Sequence, residues 1–109
     1  MEPFCFDFSN EEISTILFCM EYFKNCHIKA DTSEQQQIHN NYCLSVSRKL
    51  LTKNTTFSIN EYTRMYSAIY YVSMLCDGMF NVDDKTRSAC INHQTVVNKL
   101  LQKIPEIDF

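Results

Sequence analysis

From Ser9 onward, Ile13, Ile16, Leu17, Met20 and Phe23 recur at helical spacing with polar residues between them, and they predict a first helix running to about Asn25. A second helix is expected from near Thr32, where Thr32 and Gln35 form a box-like pair, through Ile38, Tyr42, Cys43, Val46 and Leu50. Tyr62, Met65, Tyr66, Ile69 and Val72 predict a third, from Ser58 to about Asp77, closed by Gly78 as the left-handed residue that ends many helices. A fourth begins near Asp83 and continues through Ala89, Cys90, His93, Val96, Val97, Leu100 and Leu101 until Pro105 stops it.

The pattern repeats. FSNEEISTILFCMEYF, starting at Phe8, aligns without a gap on FSINEYTRMYSAIYYV, starting at Phe57, and VSRKLLTK from Val46 matches VVNKLLQK from Val96. Ser9 with Glu12, and Ser58 with Glu61, have the spacing of a capping box, in which the hydroxyl accepts from the first turn and the carboxylate reaches back to the cap. Phe8 and Phe57 precede the caps and are placed to act as hydrophobic staples on Ile13 and Tyr62. Four amphipathic helices on short links must bury their stripes against one another. The expected fold is therefore all-α, a four-helix bundle of two tandem, similar hairpins, with an orthogonal array containing a helix-turn-helix pair as the alternative. The expected division is an arm (1–8), hairpin one (9–53), hairpin two (57–103) and a tail (104–109) in a single domain.

Length and composition agree with this reading. A chain of 109 residues with one Gly and two Pro is one domain with little turn chemistry for a many-stranded sheet. A net charge of −3 is the wrong sign for a protein that binds phosphates over a wide surface. No apolar run is long enough for a membrane helix, and MEPFCFDF lacks the features of a signal peptide, so a soluble, cytoplasmic protein is expected. Accordingly Cys5, Cys19, Cys26, Cys43, Cys76 and Cys90 are read as reduced core thiols, and Asn54-Thr55-Thr56 as a glycosylation match without consequence.

Reactive residues within apolar stripes are few. His39/Cys43 and Cys90/His93 have the i,i+4 and i,i+3 spacings that would put two ligands on one helical face, so a metal-binding bundle is one alternative. A core histidine beside a buried thiol explains the same spacing, and no CxxC pair is present. His27 falls in the first hairpin loop beside Cys26. No phosphate loop, nucleophile elbow or paired carboxylates occur, so no enzyme and no cofactor is expected. Glu11, Glu12, Glu34, Asp83 and Asp84 lie at helix starts, where the dipole favours them. Arg48, Lys49, Lys53, Lys99 and Lys103 lie near helix ends for the converse reason, leaving a DNA-binding regulator as a further alternative.

The segment FSINEYTRMYSAIYY poses the functional question, because tyrosine is a common residue in binding hot spots. Through the repeat, Tyr62 matches Ile13 and Tyr66 matches Leu17, which are core positions. Tyr71 matches Tyr22 on the flank, while Tyr70 matches Glu21 and is expected on the surface, with Arg64 nearby. The termini offer two more candidates: Phe4, Phe6 and Phe8 alternate along the arm, and Ile107 and Phe109 flank an acid in the tail. Both termini are expected either to fold over open ends of the bundle or to dock a partner. In size, helical content and acidity the chain is similar in type to small accessory proteins of phages and mobile elements, such as anti-CRISPR inhibitors and antirepressors. The resulting expectation is a protein-binding inhibitor, adaptor or regulatory subunit, monomer or homodimer, with Tyr70, Arg64, Tyr71, Ile107 and Phe109 as interaction residues.

Overall fold

The computed structural model describes residues 4–24, 33–78 and 81–107. Its elements are β1 (Phe4–Cys5), α1 (Asn10–Lys24), α2 (Ser33–Leu51), β2 (Thr56–Phe57), α3 (Ile59–Cys76), α4 (Asp84–Asn92) and α5 (Gln94–Lys103). The fold is all-α, as the periodicity requires. Helix α3 is central and packs on α1, α2, α4 and α5. Its buried set, Tyr62, Met65, Tyr66, Ala68, Ile69, Val72 and Leu75, covers more than one stripe, as a helix with neighbours on several sides must.

Both capping boxes form. Ser9 N–H donates to Glu12 Oε1 at 2.8 Å and Glu12 N–H to Ser9 Oγ at 3.1 Å; the Ser58–Glu61 box repeats this at 2.8 and 3.2 Å. Phe8 and Phe57 are both buried beneath their helix starts. Asp83 caps α4 by accepting from Thr86 N–H at 2.6 Å, and Gly78 takes the expected left-handed conformation at φ 79°. The Thr32–Gln35 box and the end of the first helix at Asn25 involve residues outside the described ones.

The fourth helix departs from expectation. It is two helices, because the chain turns at His93 (φ −101°, ψ 0°), which closes α4 by donating its N–H to Cys90 O at 3.0 Å and starts α5. No Pro or Gly forces the turn. It is held from outside, by a 3.0 Å hydrogen bond between His93 Nδ1 and Thr15 Oγ1 on α1 and by stacking of the imidazole on Phe18 at 4.2 Å.

The arm is also more than a fold-back. Strand β1 pairs antiparallel with β2, Phe4 opposite Phe57 and Cys5 opposite Thr56, and Phe6 N–H donates to Thr55 O at 3.1 Å. The offset that carries Phe8 onto Phe57 also carries Phe6 onto Thr55. Phe6 and Thr55, which correspond in the repeat, thus meet at the end of the ladder. The Phe6 ring lies between the two staple rings, 5.2 Å from Phe8 and 6.4 Å from Phe57.

The two capping boxes are held in the same way. Lys49, from α2, reaches the second box, donating to Glu61 Oε1 at 2.7 Å and Thr56 O at 3.0 Å with its ammonium 5.8 Å from the Phe57 ring. Lys103, from α5, does the same at the first, donating to Glu12 Oε1 at 3.0 Å and Asp7 O at 2.5 Å, 5.3 Å from the Phe8 ring. Each half therefore ends by locking the start of the other. The sequence match paired Lys49 with Lys99; in three dimensions its counterpart is Lys103, one turn further on.

Candidate functional site

The tyrosines of α3 form a row at every fourth position. Phe4 stacks on Tyr62 at 4.4 Å, Tyr62 lies 6.2 Å from Tyr66, and Tyr66 stacks on Tyr70 at 6.3 Å and 14°. The row grades outward: Tyr62 and Tyr66 are buried, whereas Tyr70 is 44% exposed. This agrees with the repeat, which set the first two against core residues and the third against exposed Glu21. Ile59, 37% exposed, lies three helical turns before Tyr70 on the same face.

The phenols of the two buried tyrosines hold the segment after α5. Tyr62 Oη donates to Pro105 O, and the Ile107 backbone hydrogen-bonds Tyr66 Oη. Burial pushes the Tyr66 phenol up, as does the nearby Glu106 carboxylate, and burial with the neighbouring Tyr66 does the same to Tyr62. Both phenols therefore keep their protons well into the alkaline range. Ile104 is buried and Ile107 half-buried against the core, so the described part of the tail is folded back.

The other interaction residues do not join this row. Arg64 is half-buried with its guanidinium 4.9 Å above the Tyr42 ring of α2. Tyr71 is half-buried 6.2 Å from Phe23 of α1, whose ring meets His39 edge-on at 5.1 Å. Six positions along a helix turn Tyr70 away from Arg64 by about 120°. The five residues named from sequence thus divide: Tyr70 and Ile107 share one side with Tyr66, Arg64 and Tyr71 face α2 and α1, and Phe109 lies outside the described residues. Sequence reasoning missed Ile59 and the roles of the Tyr62 and Tyr66 hydroxyls.

The metal set is not assembled. Cys43 Sγ lies 3.6 Å from His39 Nε2, but that pair packs near Phe23, while His93 is turned to Thr15 and Phe18 at the α4–α5 junction. Among the described residues no group of three or more His, Cys, Asp or Glu could hold a metal ion. Burial raises the Cys43 thiol to about 11 against the opposing pull of Arg64 and Lys24, so the His39–Cys43 pair is a neutral thiol beside an imidazole. Burial likewise raises the thiols of Cys19, Cys76 and Cys90. Cys5 is the exception to the core-thiol reading: the alternation of β1 puts it outward, and it is exposed. Cys26 and His27 lie outside the described residues.

Among the described residues no helix is long and apolar enough to cross a membrane. Comparison of the chain with protein-family models, curated proteins and solved structures gives no match.

Proposed function

We propose that this protein works by surface recognition, binding a protein partner as an inhibitor, adaptor or regulatory subunit without catalysing a reaction. The observation that carries the reading is the exposed ring of Tyr70, stacked on buried Tyr66, with exposed Ile59 three turns earlier on the same face of α3. An aromatic ring preordered by stacking makes contacts at low entropic cost, which is what an anchor residue requires. The small-accessory-protein type, anti-CRISPR inhibitors included, fits this mode of action. A duplex-DNA regulator is the weaker reading, because Lys49 and Lys103 are engaged by the capping boxes and are thereby withdrawn from phosphates.

The test is capture of partners from the native host by tagged protein, with mass spectrometry, comparing wild type with Tyr70→Ala. The expected result is a discrete partner whose recovery falls at least tenfold in the variant while the melting temperature stays within about 2 °C. Identical recovery by both proteins, or enrichment of nucleic acid in place of protein, would overturn the proposal.

A further inference from the structure

The segment after α5 lies along α3 in a regular register. Pro105 meets the Tyr62 hydroxyl and Ile107 meets the Tyr66 hydroxyl, two residues of strap for one turn of helix. The match is dimensional: two extended residues span about 6.6 Å and four helical residues about 6 Å. An extended peptide running along this face therefore meets a tyrosine hydroxyl at every second residue. Its carbonyl accepts at one turn and its N–H donates at the next. Tyr70 is the next turn of the same row, and no residue of 104–107 is hydrogen-bonded to it among the described contacts.

We propose that the tyrosine row of α3 is a docking groove for an extended peptide segment of the partner protein, and that residues 105–107 are a strap occupying two of its three turns in the unbound state. The inference rests on the reading of Tyr70 as a binding surface and gives that surface its partner chemistry and its regulation. The strap itself displays what the groove accepts: an extended backbone, a proline that offers a carbonyl and no N–H, and an apolar residue two positions on. Ile104, buried in the core, anchors the strap at its near end, so release begins beyond it. Tyr70, 44% exposed, is the point of first contact. A partner segment seated there then displaces Ile107 and Pro105 in turn, exchanging the strap's hydrogen bonds for its own.

The strap competes from within the same molecule, at a local concentration in the millimolar range that a free peptide must overcome. This sets the test. Isotopically labelled chain shortened to end at Ile104 is titrated with a synthetic peptide, acetyl-PEIDF, while backbone amide shifts are followed by NMR. The expected result is saturable shifts along residues 62–70, at least tenfold tighter binding than to the full chain, and weakening by about fivefold when Tyr66→Phe is added to the shortened chain, the equivalent of one hydrogen bond. A cooperatively melting shortened chain with no saturable shifts there, or equal binding by both chains, overturns the proposal.

A second measurement needs no shortening. In the full chain, Tyr66→Phe should speed exchange of the Ile107 amide about fivefold, and an unchanged rate would show that the hydroxyl does not tie the strap. The two readings fail separately. Absent peptide binding with partner capture still lost in Tyr70→Ala removes the strap and leaves the surface; peptide binding with undiminished capture by Tyr70→Ala removes the surface and leaves the groove.

Discussion

Glu61 is 5% exposed yet ionised, and its partners explain how. Burial alone would push its carboxyl up, but hydrogen bonds from Lys49, Ser45 and the Ser58 backbone outweigh that and bring it down to about 2. A carboxylate held below its unfolded value stabilises the fold above the unfolded value, near 4.5, and loses that contribution as pH falls towards about 2. Its weight at neutral pH is on the order of 3 kcal/mol. Glu61→Gln should therefore lower stability at pH 7 by roughly that amount and flatten the acid limb between about pH 4.5 and 2, read by denaturant titrations across pH. Glu12 is an internal control, because it occupies the equivalent place in the other box with a more exposed lysine. Its replacement by Gln should cost only about 0.5–1 kcal/mol, the range of a surface pair.

Among the elements, the helix starts were legible in the sequence and the break at His93 was not. A capping box is a local signal: Ser9/Glu12 and Ser58/Glu61 announce themselves within four residues, and the carboxylates can reach only one place. The break leaves no such trace, since Cys90, Val97 and Leu100 keep helical spacing straight through it, and the cause is a partner on α1 far away in sequence. Strand β1 was hidden for a similar reason. Two residues of alternation cannot be told from an extended arm until their partner strand is known. At the candidate site, the repeat exposed Tyr70 by setting it against Glu21, whereas nothing in the spacing of Tyr62 and Tyr66 connects them with Pro105 and Ile107. His93→Ala removes both the Thr15 hydrogen bond and the Phe18 stack, and should destabilise by about 1.5–2.5 kcal/mol in chemical denaturation. A loss within a few tenths of zero would mean that the turn is set by α4 and α5 themselves.

At the scale of the whole molecule, the two halves are joined by reciprocal contacts: α1 packs on α3, α2 supplies Lys49 to the start of α3, and α5 supplies Lys103 to the start of α1. The β1–β2 ladder lies where these meet. It also joins residues more than fifty positions apart, Phe4 with Phe57, whereas helical contacts form between near neighbours. Closing so long a loop carries an entropic cost that two short strands recover only once the helices have brought them together. The ladder should thus be among the last contacts to form and the first to open. Thr55→Ala, which removes a hydroxyl bonded to Phe6 O, should raise the unfolding rate several-fold and leave the folding rate nearly unchanged in stopped-flow measurements. A seam of two short strands would then also set how long the protein stays folded.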